Sequence, residues 1–195
     1  MITHHGVFFT HCRMSRERII QDLKNYRLKY PNEASVVDRF VEFVNKHEDC
    51  CERNLLEGHV TGSAWVVDPS GNHVLLTHHR KLNNWFQLGG HTDGNTNVLE
   101  AAKREAEEES GLNHLSVIMP AIFDIDIHLI PDRESEPEHY HYDIRYALQA
   151  LGSTDYSVSA ESLDLKWVPI GQIREYTTEK SMLRMAQKWK DLQIC

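Results

Sequence analysis

Cysteine is scarce. The 195 residues hold four, Cys12, Cys50, Cys51 and Cys195, and no C-x-x-C pair. That excludes a cysteine-built zinc knuckle and a disulfide framework, and it fits a reducing, cytoplasmic setting. Long apolar runs are missing too. No stretch approaches the roughly 20 residues that span a bilayer, and the opening MITHHGVFFTHCRM lacks the apolar core of a secretion signal, so no membrane partner is expected. Basic residues are outnumbered, 21 Lys and Arg against 29 Asp and Glu, which leaves a formal net charge of -8. A broad electrostatic grip on DNA or RNA is therefore not expected. The anionic balance instead suits a protein that recruits a divalent cation before meeting an anionic substrate. Internal repeats and low-complexity tracts are absent as well.

Hydrophobic residues make up 41% of the chain, enough for a real core. Residues 15–48 show two helical patterns broken at Pro31. Ile19, Ile20, Leu23 and Tyr26 share one side of the first, and Val36, Val37, Phe40, Phe43 and Val44 recur along the second. We read residues 1–50 as a helical N-terminal extension and 51–195 as the main domain. From Val60 the texture shifts to short apolar runs. SAWVV and HVLLTHH flank DPSGN and predict a β-hairpin over 60–80. A charged helix follows at 97–110, then strands around 115–130, 139–150 and 163–168, and a last amphipathic helix near 178–192. This order predicts an α/β protein, an α/β/α sandwich with a mixed sheet.

The segment GGHTDGNTNVLEAAKREAEEESGL, residues 89–112, carries the chemistry. Asn97 and Glu100 have the spacing of a capping box, and Gly111 stands where the helix would end. Glu105, Glu108 and Glu109, at i, i+3 and i+4, share one helical face, with Glu107 pointing elsewhere. Val98, Leu99, Ala102 and Ala106 form the side that packs on the sheet. Like charges at this spacing repel by about 0.2–0.5 kcal/mol per pair, and a divalent cation reverses that sign. Magnesium takes oxygen ligands and keeps room for waters and phosphates. A solvated acidic helix would carry the same EAEEES string, so spacing alone does not decide.

The whole segment does. It resembles the Nudix box: Gly90 matches the first glycine, and Arg104, Glu105, Ala106, Glu108, Glu109, Gly111 and Leu112 match the later positions in unbroken register. The order of strands agrees, extending the resemblance to about residues 57–175. It implies a Nudix-like α/β/α sandwich and a hydrolase that cleaves the diphosphate linkage of a nucleoside diphosphate joined to another moiety. It also implies Mg2+ or Mn2+ as cofactor, held by Glu105 and Glu109, by Glu108 directly or through water, and by a carbonyl near Gly89 or Gly90. Arg104 orients the carboxylates, and Glu105 is the expected general base. Two positions depart from the pattern. Thr96 replaces the glutamate six residues after Gly90, and the turn reads Leu88-Gly89-Gly90-His91. The sequence is similar to a subgroup with this Gly-Gly-His entry, a downstream His-Tyr-Asp segment and a helical N-terminus.

Two later segments alternate. FDIDIHLI puts Asp124, Asp126 and His128 on one strand face, and HYHYDIRYAL puts His139, His141, Asp143 and Arg145 on one face. An antiparallel pairing would give a polar lane, read either as a half-solvated sheet or as a surface that meets the carboxylate helix and holds the substrate, with His91, His139, His141 and Asp143 as the contacts. Glu134, Glu136, Glu138 and Asp143 are candidates for an extra metal ligand or base. A zinc site of His139, His141 and Asp143 is a further arrangement the types allow.

Two other functions stand beside the hydrolase: a non-catalytic nucleotide-binding regulatory module, for which Thr96 speaks, and an isopentenyl-diphosphate isomerase-like enzyme. The isomerase resembles Cys-Gly-His at the turn, where this chain has Gly89. The expected partner is a small-molecule nucleotide or other diphosphate, with a homodimer as one assembly open to it.

Overall fold

The computed structural model describes residues 5–80, 82–132, 137–160 and 162–193, with side chains in the first helix described from Arg16 onward. Among the described residues, four α-helices, two 3-10 turns and eight strands form the architecture. Helix α1 (His5–Lys29) begins ten residues before the sequence pattern suggested. A short 3-10 turn at Pro31–Glu33 leads to α2 (Ala34–Lys46). The proline ends α1 because it cannot donate into the helix. Val37, Phe40, Phe43 and Val44 are all buried, as their spacing predicts. Leu23 and Phe40 are wholly enclosed, and each such burial contributes about 1.5–3 kcal/mol.

The hairpin appears as β1 (Gly58–Val67) and β2 (His73–His79) around Asp68, whose carboxylate accepts the backbone N–H groups of Asn72 and His73 at 2.9 and 3.0 Å. The two strands then part. β1 pairs in parallel with β7 (His139–Ala150) and antiparallel with β4 (Leu88–His91), while β2 pairs with β3 (Asn84–Phe86) and β8 (Ser162–Pro169). β5 (Leu115–Val117) and β6 (Asp124–Ile130) both pair antiparallel with β7. The result is one mixed eight-stranded sheet.

Helix α3 (Val98–Ser110) and the α1–α2 pair cover one face, and α4 (Lys180–Gln193) covers the other. Three hydrophobic clusters fill the layers. The first joins α1 and α2 to Val60, Val98, Ile125, Tyr142 and Ile144, so the N-terminal helices share a core with the sheet. The second sets Met182, Met185 and Trp189 of α4 against Trp65, Val74 and Ala147. Gly111 ends α3 with φ 71°, and its N–H donates to the Glu107 carbonyl at 2.8 Å, the left-handed cap its position suggests. The capping box is not formed in its usual sense. Asn97 makes no side-chain cap bond and instead donates from Nδ2 to Glu100 Oε2 at 3.3 Å.

Candidate active site

Antiparallel pairing on β1 aligns Thr61 with His91, Gly62 with Gly90 and Ser63 with Gly89, which places the glycine pair against α3. A Cβ on Gly90 would overlap the Glu105 carboxylate, so glycine is what lets that carboxylate reach the strand. One position earlier, the Gly89 N–H donates to Glu109 Oε2 at 3.1 Å. Arg104 draws the group together. Its Nη2 lies 2.8 Å from Glu105 Oε1 and donates to the His91 carbonyl at 2.9 Å, and its Nη1 donates to Glu108 Oε2 at 3.1 Å. Glu105 is largely enclosed, its side chain 17% exposed against 61% for Glu108. Burial pushes the Glu105 carboxyl above the usual carboxylate range. Arg104 opposes that rise, and the Glu108 charge adds to it. A cation beside it would relieve the same strain.

Thr96 lines a pocket with Arg18, Asp22, Pro120 and Tyr146, under α1. None of the three glutamates borders that pocket.

The polar lane forms in the register that alternation suggests: Asp124 opposite Arg145, Asp126 opposite Asp143 and His128 opposite His141. Its surroundings differ from both expectations. It is no half-solvated surface, since Asp124, Asp143 and Arg145 are all buried. Nor does it meet α3. The Gly90 face of the sheet carries α3, and the lane lies on the reverse face. Asp143 accepts from Thr61 at 3.0 Å, Ser63 at 2.7 Å and Arg145 at 2.7 Å, so its lone pairs serve the protein itself. Arg145 also reaches Asp124 at 3.1 Å, and Arg184 and Lys188 of α4 donate to Asp124 at 2.8 and 2.6 Å. Lys188 continues to Glu33 at 2.7 Å and to the Tyr26 hydroxyl at 2.5 Å. Burial works against the Asp124 and Arg145 charges, and pairing outweighs it. Asp124 is held below the usual carboxylate range and Arg145 above its ordinary value. Of the candidates for an extra acidic ligand, Glu138 is exposed, while Glu134 and Glu136 lie outside the described residues.

Beyond Asp143 the same face turns to histidine. His59 on β1 lies opposite His141 on β7 and beside His91 of β4 and His139. The His59, His139 and His141 ligand atoms lie within 4.8 Å of one another. His59 is 1% exposed, and neither of its ring nitrogens has a hydrogen-bond partner among the described residues. Leaving such an atom unsatisfied costs about 1–3 kcal/mol. Burial pushes the His59 imidazole down to about 3, with His91 and His139 adding to the fall, and burial pushes His141 down to about 2, with His59 and His128 adding. Both rings are neutral near pH 7. The zinc arrangement of His139, His141 and Asp143 is thus corrected at one member: Asp143 is taken by Arg145, and His59 stands with the two histidines.

A NUDIX domain family model matches residues 58–188, from β1 into α4 and more than half of the chain. No curated protein matches the sequence. Among solved structures the chain is similar to a C. elegans Ap4A hydrolase in a binary complex, with TM-score 0.57 and 15% identity over 69% of this chain and 97% of that one. It is similar to a NUDIX-family hydrolase from Clostridium perfringens, with TM-score 0.50 and 26% identity, again over 69% and 97%. It is also similar to a MutT protein from Methanosarcina mazei Go1, with TM-score 0.52 and 16% identity over 71% and 97%. Fold and family match together define the class of enzyme, a Nudix-type pyrophosphohydrolase. The chain belongs to the NUDIX family. Among the described residues no helix is long and apolar enough to cross a membrane.

Proposed function

We propose that the chain hydrolyses the diphosphate linkage of a nucleoside diphosphate joined to another group, in a reaction that requires magnesium or manganese. The apposition of the Gly89-Gly90 strand on Glu105 and Glu109 supports this reading. The donor set fits a hard divalent cation, because Glu105, Glu108 and Glu109 offer carboxylate oxygens and the Gly90 backbone lies against the Glu105 carboxylate. Glu105, Glu108, Glu109 and the Gly90 carbonyl would hold the ion. When bound, the ion supplies neutralisation of the diphosphate and activation of water.

The chain's own groups do the rest. Glu105 accepts the proton of the attacking water, a task suited to a carboxyl whose burial raises its basicity. Arg104 fixes the Glu105 and Glu108 carboxylates to the His91 carbonyl and so keeps their geometry across turnover. The leaving group is a phosphate ester, so no protein nucleophile is needed. The His91 ring packs against His59 and His141 on the reverse face, so His91 serves the site through its backbone carbonyl, which accepts from Arg104. The NUDIX hydrolase relative from Clostridium perfringens agrees with hydrolysis, and the Ap4A hydrolase likeness agrees with a nucleotide substrate.

The test is a panel of nucleoside diphosphate compounds incubated with the full chain and magnesium or manganese, reading out released phosphate esters. At least one compound should turn over, and excess chelator should abolish the release. Full turnover in chelator, or no turnover across the panel with either metal, would overturn the proposal.

A further inference from the structure

We propose that His59, His139 and His141 form a second metal site, separate from the glutamate helix, that takes a first-row transition ion such as zinc. Strand pairing builds the site. Parallel register sets His59 level with His141, and alternation along β7 returns His139 to the same face. The ring centroids lie 4.8 to 5.1 Å apart in all three pairs. Zinc holds imidazole nitrogens at about 2.1 Å, which sets them roughly 3.4 Å from one another, a small side-chain rotation from the present 4.8 Å limit.

Three details favour a metal over a packed histidine cluster. His59 is almost wholly buried with both ring nitrogens lacking a hydrogen-bond partner among the described residues, and His141 Nε2 is buried in the same state. The His139 Nδ1 lies 2.8 Å from the Pro137 carbonyl. A carbonyl only accepts, so Nδ1 carries the proton and Nε2 is the atom turned toward the other two rings. That is the arrangement by which an outer hydrogen bond orients a metal-binding histidine. The three-histidine set also holds no carboxylate. Neutral imidazoles select zinc, copper, nickel or cobalt, whereas magnesium seeks oxygen. His91 and His128 flank the set, their rings 5.3 and 5.4 Å from His141. A bound ion would pin β1 to β7 one step from the strand that carries Gly89 and Gly90.

The experiment is a titration of the full chain, stripped with chelator, with cobalt and with zinc in the presence of excess magnesium to occupy oxygen sites. One equivalent of cobalt should bind and give the intense visible bands of a four-coordinate site, and one equivalent of zinc should displace it and raise Tm. His59→Gln and His141→Gln should each lose the bands, while Glu105→Gln and Glu109→Gln should keep them. X-ray absorption on the zinc-loaded wild type should report about three imidazole nitrogens per ion, a readout that stands even where a histidine variant fails to fold. Absence of stoichiometric cobalt binding, bands that survive both histidine changes, bands that vanish in the glutamate variants, or an oxygen-only shell would overturn the proposal.

Discussion

The backbone N–H of Gly89 donates to the carboxylate of Glu109, twenty residues away, at 3.1 Å. This bond ties the end of the helix face to the glycine strand. With the close approach of Glu105 to Gly90, it gives the helix two points of contact on the same short strand.

Replacing Glu105 by Gln should lower turnover by about 10²–10⁴-fold, the usual worth of a positioned proton acceptor. Stability should barely change, since relief of repulsion with Glu108 offsets the loss of the Arg104 contact. Steady-state rates with matched thermal melts check both halves. A rate near wild type removes Glu105 from the chemistry.

Two glycines separate the site from the scaffold. Gly90→Ala should displace the Glu105 carboxylate, a flexible end, and cost about 100-fold in rate with little effect on Tm. At Gly62 a Cβ would meet the Val98 carbonyl oxygen at 2.9 Å and the Ala102 nitrogen at 3.1 Å, both backbone. Gly62→Ala should therefore cost about 1–3 kcal/mol of stability. Equal rate losses in the two variants, with equal Tm changes, would show that the distinction is empty.

Asp143→Asn should act on stability rather than on substrate choice. The carboxylate is buried and shared among Thr61, Ser63 and Arg145, while Asp124 and Asp126 still face the arginine. The expected cost is about 1–3 kcal/mol, measured by urea unfolding. Unchanged stability with an altered substrate profile would return Asp143 to the binding surface.

The α4 network makes an acid prediction. Burial works against the Asp126 charge, yet the bond to His128 and the Arg145 and Arg184 charges hold its carboxyl down to about 2 from an ordinary 3.8. A depressed carboxyl stabilises the fold above its unfolded value and loses that contribution as pH falls through the folded one. The stability gap between wild type and Asp126→Asn should thus be full above pH 3.8 and close toward pH 2. Melts across that range decide, and a gap independent of pH would contradict the assignment.

Much of this was legible in the sequence, for reasons that differ by segment. The helix face of Glu105, Glu108 and Glu109 follows from a period of 3.6, and the β6–β7 register follows from alternation in two adjacent strands. What covers the lane was not legible. Arg184 and Lys188 stand four apart on an amphipathic helix and read as solvated charges until Asp124 is seen beneath them. The strand at Leu88–His91 was missed because glycines carry no apolar alternation. His59 left a fainter trace. GHVTGSAW alternates His59, Thr61 and Ser63 with Val60, Gly62 and Ala64, but only the parallel pairing with β7 reveals which histidines it joins.

That pairing bears on how the chain acquires its shape. β1 and β7 meet across a separation of 82 residues at Thr61 and Asp143, and the pair is parallel, so no tight turn can nucleate it. Contacts this distant repay their loop-closure entropy late in folding. During synthesis the glycine strand and the glutamate helix leave the ribosome well before β7, and β1 must wait with one edge open. Insertion of β7 then buries Asp143, gathers the histidines and closes that edge against pairing with other chains.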